Sequence, residues 1–191
     1  MKINIPEGVS GNWKVERFTI SESASEMSLF SYKARRPDPG TYTKLTRGGH
    51  VIMSDTPAEL RDLMPLEWNA KGHVLINGLG LGVALAICLK KAEVTRVTVI
   101  EKSEDVIFLV GTHFKDNPNV EIIHADAFEW KPPKGVRYGA VWNDIWDDIC
   151  ADNLPEMHKL HRKYGKRSDW QGSWCRGECE RSARQERHSV W

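Results

Sequence analysis

The stretch Val74-Leu75-Ile76-Asn77-Gly78-Leu79-Gly80-Leu81-Gly82 constrains this chain more than any other. A short apolar run ends in three glycines at alternate positions, and an apolar, helix-compatible segment, Val83 to Leu89, follows. The pattern predicts a strand, a tight turn and a helix N-terminus. Glycine permits positive φ and leaves no Cβ between the backbone and a ligand. Such a turn lets the main chain approach a nucleotide-like ligand at the helix N-terminus. The same pattern also serves as a tight strand-to-helix turn with no ligand at all. A dinucleotide-binding turn has the spacing G-x-G-x-x-G, which would place the third glycine at Val83. Here it stands one place earlier, at Gly82, a spacing better suited to a single nucleoside.

From residue 73 strands and helices alternate. His73–Asn77, Val97–Ile100, Val120–His124 and Tyr138–Trp142 read as strands. Residues 83–91, 103–114 and 153–164 read as helices. Short apolar strands without polar alternation, separated by helices, predict a parallel sheet covered on both faces. After Tyr164 no run reads as a strand. Upstream, Trp13–Ile20 is a strand candidate with Val15, Phe18 and Ile20 facing inward. Residues 21–28 are polar and loop-like, and Arg35-Arg36-Pro37-Asp38-Pro39-Gly40 is a breaker cluster. Tyr42–Thr46 and His50–Ser54 flank Arg47-Gly48-Gly49 as a β-hairpin. Thr56-Pro57-Ala58-Glu59 reads as a helix start with a capping box, and Pro65 interrupts or ends that helix. The divisions expected are an N-terminal β extension over 1–56, a nucleoside-binding domain over 57–165 and a basic, Trp-rich tail over 166–191.

Three acidic positions sharpen the ligand reading. Glu101 ends the second strand, where a carboxylate would hydrogen-bond a ribose diol. Its alternative is a solvated glutamate paired with Lys102. Asp126 follows the third strand and can accept a hydrogen bond from an adenine amino group. Alternatively it caps a short helix. Asp144, in Asn143-Asp144-Ile145-Trp146-Asp147-Asp148 after the fourth strand, is the candidate for orienting or deprotonating a nucleophile. Trp146 could stack on cofactor or acceptor, with Asp147 beside it. The plainer reading is an acidic loop with one core tryptophan.

Residues 73–150 resemble the class I S-adenosylmethionine-dependent methyltransferases. Within that superfamily they are most similar to the spermidine synthase (aminopropyltransferase) branch, which also has an N-terminal β-hairpin region. The resemblance implies an α/β, Rossmann-like three-layer sandwich. Its parallel sheet would be short, about four strands in the order 3-2-1-4, with the β-hairpin extension before it. It implies S-adenosyl-L-methionine, or decarboxylated S-adenosylmethionine, as cofactor. Gly78, Gly80 and Gly82 would line its methionine side, with Asn77 just before them. Glu101 and Lys102 would stand at the ribose, Asp126 and Ala127 at the adenine, and Asn143 on the same rim. Asp144 would be catalytic, and Trp146 and Asp147 would meet the acceptor. No metal is implied.

The chain departs from the pattern in three places. Asn77 stands where many methyltransferases have an acidic residue. The loop Asn-Asp-Ile-Trp is neither the Asn-Pro-Pro-Tyr of amino-methylating nucleic-acid enzymes nor the Asp-Ser-x-Asp-Pro of spermidine synthases. The family sheet normally has seven strands, and only four are legible. An edge at the fourth strand would need a cover, from the terminal helix, the tail or a second copy in a homodimer. The function implied is S-adenosylmethionine-dependent methyl transfer to a nucleophile, nitrogen by preference, with the acceptor unidentified. Aminopropyl transfer is the alternative, for which Asp144, Asp147 and Asp148 could form a polyamine groove. A non-catalytic binding or assembly protein on a shortened scaffold is the other.

Composition limits the rest. Net charge is +1, with 40% hydrophobic residues. No apolar run approaches the roughly 20 residues of a membrane span, and Met1–Glu7 has no apolar signal-type run. The expectation is a cytoplasmic protein with reduced thiols at Cys88, Cys150, Cys175 and Cys179. From Lys159 onward basic residues outnumber acidic ones, which hints at an anionic partner. Trp170, Trp174 and Trp191 among arginines could stack on nucleic acid, or could dock the tail on the sheet edge, the preferred reading. His158, His161, Cys175 and Cys179 lack the order and hairpin of a zinc finger and read as helix histidines and ordinary thiols.

Overall fold

A computed structural model of the chain describes residues 2–23 and 38–188. Residues 24–37, which hold Arg35, Arg36 and most of the polar loop, and Trp191 lie outside the described residues. Two sheets share one core. The first is an antiparallel meander of β1 (Gly8–Ser10), β2 (Trp13–Ile20), β3 (Gly40–Arg47) and β4 (His50–Ser54). The hairpin between β3 and β4 turns through Gly48 and Gly49, at φ 57 and 87, the geometry of a tight two-residue turn. The sheet is larger than the hairpin expected, because β1, read as meandering chain, pairs with β2. Val15 is fully buried, but Phe18 and Ile20 differ from it in strand parity and take the other face. There Phe18 meets Tyr42.

Two short helices follow, α1 (Pro57–Asp62) and α2 (Met64–Asn69). Pro65 sits in the first turn of α2, so the interruption falls at Leu63. The capping box does not form as expected. Thr56 makes no side-chain cap, and Glu59 reaches back past it to Ser54, accepting from its N–H at 2.7 Å and its hydroxyl at 2.6 Å.

The second sheet is parallel. It contains β5 (Gly72–Asn77), β6 (Val94–Glu101), β7 (Val120–His124), β8 (Tyr138–Asn143) and β9 (Ser168–Ser173), in the order β7-β6-β5-β8-β9. This is the Rossmann-like order 3-2-1-4 with one strand added. Its crossovers carry α3 (Val83–Leu89), α4 (Glu104–Leu109) and α5 (Leu154–Tyr164), and α6 (Arg176–His188) ends the described chain. One face of the sheet (Val74, Ile76, Val99, Trp142) packs with α3, α4 and the inner face of the meander. The other (Leu75, Val141, Tyr138) packs with Met157, Leu160 and Tyr164 of α5 and Cys179 of α6. That is the three-layer sandwich expected.

The fifth strand corrects the count of four. Ser168-Asp169-Trp170-Gln171-Gly172-Ser173 has no β-branched residue, so local propensity does not announce a strand. It forms against β8, and the Trp170 ring stacks on Trp142 with centroids 6.2 Å apart and planes within 7°. The edge of β8 is therefore covered by the segment read as tail, and the sheet runs past the boundary drawn at residue 165. Trp170 and Trp174 both pack against the core, which is the docking reading. Trp170→Ala should lower stability by about 2 kcal/mol, somewhat less than for a fully buried tryptophan, measured by urea denaturation. Among the described residues no helix is long and apolar enough to cross a membrane.

Candidate active site

In the parallel sheet the chain crosses to the opposite side between β7 and β8, so the connection leaving β5 runs to α3 on one face and that leaving β8 runs to α5 on the other. A ligand crevice is expected at the carboxyl ends of these two strands. The observed cleft has a volume of about 480 Å³, within the usual range for small-molecule sites. The ends of β5, β6, β7 and β8 supply in turn Gly78 to Gly80, Glu101, Asp126 and Asp144. Met53 and Arg47 of the hairpin close the cleft from the other side.

The glycine loop is built as its sequence requires. Gly78, Gly80 and Gly82 have φ of 96, 51 and 74. A Cβ on Gly78 would lie 1.9 Å from the backbone oxygen of Asp144. The turn and the β8 loop are thus in backbone contact, reinforced by the Asp144 N–H donating to the Asn77 carbonyl at 2.8 Å. Gly80 lies against the Met53 thioether, which accepts from the Leu81 N–H at 3.4 Å. Gly82 begins α3 against the Phe114 ring and does not line the cleft.

Glu101 is anchored to that loop. Its Oε2 accepts from the Leu79 N–H and its Oε1 from the Ser103 N–H, each at 2.8 Å. A carboxylate has about four lone-pair sites, so acceptor capacity remains for a diol. Lys102 pairs with Asp126 at 2.8 Å rather than with Glu101. That ammonium holds the Asp126 carboxyl below the usual carboxylate range, with the Phe128 N–H adding to the effect. Asp126 also closes the turn after β7 in the manner of a cap, its Oδ1 accepting from the Phe128 N–H at 2.7 Å. Asp126 thus fills the capping role, and it also lines the cleft.

Asp144 has the most perturbed environment in the cleft. Burial away from water pushes its carboxyl up to about 7, and the charges of Glu59 and Asp62 push the same way. The Trp142 indole N–H beside it acts in the opposite direction. A carboxylate poised near neutrality is suited to general base work. Trp146 lines the cleft and donates from Nε1 to Glu156 at 2.8 Å. Asp147 forms an ion pair with Arg47, whose guanidinium lies 5.2 Å from the centre of the Trp13 ring. The β3–β4 turn and the β8 loop are joined across the mouth by this contact.

Two more positions assigned to the cofactor lie elsewhere, as Gly82 does. Asn77 and Asn143 are fully buried on the α5 side of the sheet. The Asn77 amide donates to Asn143 Oδ1 at 2.7 Å, and the Asn143 amide donates to the Gly172 carbonyl at 3.0 Å. Strand alternation explains this: each is the last residue of its strand and points away from the glycine-loop face. They bind β5, β8 and β9 together. Asp148 also stays outside the cleft lining. Conversely, Glu59, Met53, Ser103 and Glu156 line the cleft and were not read as site residues. Glu59 carried a signal, its cap position, but one that pointed to a helix rather than a cleft.

The other sequence clusters find structural partners. His161 accepts at Nδ1 from Arg176 at 3.0 Å, so its Nε2 carries the proton and donates to Ser173 at 2.9 Å. Burial, with Arg176 adding, pushes its pKa down to about 4. Among the described residues no group of three or more His, Cys, Asp and Glu is arranged to hold a metal ion. Of the basic tail residues, Arg176 pairs with Glu180 and Arg181 with Glu178.

No family model matches the chain, and no curated protein matches it in sequence. Its fold is similar to several solved structures. Spermidine synthase from Thermotoga maritima is 18% identical over 82% of this chain and 52% of that one, with a TM-score of 0.48. The 23S rRNA methyltransferase ErmE is 16% identical over 59% and 43%, at 0.45. A DhpI-SAM-HEP complex is 24% identical over 55% and 50%, at 0.41. The chain spans about half the length of these proteins, and the likeness is one of fold.

Proposed function

We propose that this chain is an S-adenosylmethionine-dependent transferase, a methyltransferase acting on a nitrogen nucleophile. One observation carries the reading: Asp126, Glu101, the glycine loop and Asp144 follow one another along adjacent strand ends around a single cleft. Parallel strands lie about 4.8 Å apart, so β5 to β7 spans about 10 Å, on the scale of an adenosine. The residues present fit such a group. Glu101, fixed by two backbone N–H groups, would hold the ribose. Asp126 would take the adenine amino group, with Ala127 and Phe128 as the apolar wall. The turn at Gly78 to Gly80 would carry the methionine end, next to Asp144.

When bound, the cofactor supplies an electrophilic methyl carbon beside a sulfonium. The chain's own part is to orient the nucleophile and exclude water. Asp144, ionised, accepts the hydrogen bond of an incoming amine, aligns its lone pair and takes its proton. Trp146 and Trp174 wall that end of the cleft.

A second reading, aminopropyl transfer from the decarboxylated cofactor, has its own observation. The carboxylates Glu59, Asp144 and Glu156 line the cleft. Its cations Arg47 and Lys102 are already paired with Asp147 and Asp126. The Leu79 and Leu81 N–H groups are engaged as well. A cofactor tail without a carboxylate would suit these surroundings. Calorimetry with S-adenosylmethionine, S-adenosylhomocysteine and decarboxylated S-adenosylmethionine tests both. The methyltransferase reading expects the first two to bind, and a tenfold preference for the third selects aminopropyl transfer. Folded protein that binds none of them overturns both.

A further inference from the structure

The segment after β7 is held by an inward-facing lysine that the basic count of the C-terminal region had suggested as part of an anionic-partner surface. Lys163, on α5, donates to the Ala127 carbonyl at 2.7 Å, to the Phe128 carbonyl at 3.1 Å and to the Trp130 carbonyl. An ammonium has three N–H donors, and this one has all three directed at a single loop. Burial lowers its pKa, while Asp126 opposes that shift. Lys159, one turn earlier on the helix, places its ammonium 4.8 Å from the centre of the Phe128 ring. The Asp126 carbonyl is engaged too, accepting from the N–H groups of Glu129 and Trp130 at 3.1 and 2.8 Å.

The consequence concerns what the loop presents to the cleft. Ala125, Asp126, Ala127 and Phe128 all line it. The carbonyls of residues 126, 127, 128 and 130 have partners within the protein. The side-chain acceptor that the loop gives to the cleft is the Asp126 carboxylate, itself fixed by the Phe128 N–H and by Lys102. A carboxylate accepts and does not donate. It favours a base with an exocyclic amino group and repels one with a carbonyl at the same place.

We propose that Lys163 is a positioning residue for base selectivity. By drawing three loop carbonyls onto its ammonium, it leaves the Asp126 carboxylate to read the amino group of an adenine and to reject a 6-oxopurine. The proposal rests on the cleft taking an adenosine-containing ligand. It adds to that reading a residue one layer behind the cleft wall.

The test is calorimetry of S-adenosylhomocysteine and S-inosylhomocysteine against the full chain and the variants K163M, K163Q and D126N. The native protein should prefer the adenine compound by at least about tenfold, the scale of one hydrogen bond to a charged group. K163M should weaken adenine binding and lose most of the preference, because freed carbonyls and a mobile loop no longer present one acceptor. K163Q, which keeps two N–H donors, should fall between them and covers the case in which K163M does not fold. D126N, able to donate, should move the preference toward the 6-oxopurine. Folded K163M or K163Q with the native ratio overturns the proposal for Lys163 alone. Native protein that binds both compounds equally overturns the selectivity while leaving the nucleoside site standing. Native protein that binds neither removes the nucleoside reading and this proposal with it.

Discussion

Asp144→Asn should slow transfer severely and at the same time raise the stability of the protein above neutral pH. The first effect follows from the role of the carboxylate. An amide cannot take a proton from an incoming amine, and loss of a general base costs on the order of 10²- to 10⁴-fold in rate. The remaining activity should lose its pH dependence. In the native protein the rate should rise as pH passes through about 7, where Asp144 ionises, and then level off. The second effect is a linkage argument. The folded-state value of about 7 lies above the ordinary aspartate value of about 3.9. Between those limits the folded chain keeps a proton that the unfolded chain has released, so stability falls as pH rises from about 4 to about 7. Above that the penalty is complete. The ceiling is about 4 kcal/mol, which solvent at the cleft lowers. Asparagine carries no charge and escapes the penalty. Urea denaturation at pH 8 should therefore find D144N more stable than the native protein, and the two should converge near pH 4. A variant that is inactive and less stable at pH 8 would assign Asp144 a structural role instead.

The same residue shows how much of this cleft could be read in advance. The apolar run before Gly78 and the alternation after it depend on local pattern, and β5, α3 and β6 appear where that pattern put them. The placement of Glu101 and Asp126 at the cleft was legible because a parallel sheet puts strand ends on one rim. Strand β9 was not, since its six residues gain their conformation from a distant ring, Trp142, rather than from their own propensities. Asn77 and Asn143 were assigned by their neighbours in sequence, Gly78 and Asp144. A strand turns consecutive side chains to opposite faces, so adjacency in sequence was the wrong guide. Lys163 is the converse case. In the sequence it adds one charge to a basic region, and only the fold brings three carbonyls onto it. Glu59 likewise reads as a helix cap until α1 is packed beside the β8 loop, where its charge reaches Asp144.

Gly78→Ala should be the most damaging small substitution in the chain. Two costs coincide at this position. The backbone sits at φ 96, a conformation that side chains with a Cβ rarely adopt. The added Cβ would also lie 1.9 Å from the Asp144 carbonyl oxygen and 2.8 Å from its carbonyl carbon. The first costs about 1–3 kcal/mol. The second involves backbone on both sides, so neither partner can rotate out of the way, and the β8 loop must move. The expected loss is about 4 kcal/mol or more, measured by thermal and urea unfolding. Gly80→Ala should cost less, since the contact there is the flexible Met53 side chain. Gly48→Ala, with positive φ but open space around it, isolates the backbone cost alone. The order of losses should be Gly78, then Gly80, then Gly48. Where G78A still folds, its activity should fall further than its cofactor affinity, because the displaced group is the carboxylate proposed to meet the nucleophile. Equal losses at Gly78 and Gly48 would mean that the turn and the β8 loop are not in the backbone contact on which the position of Asp144 depends.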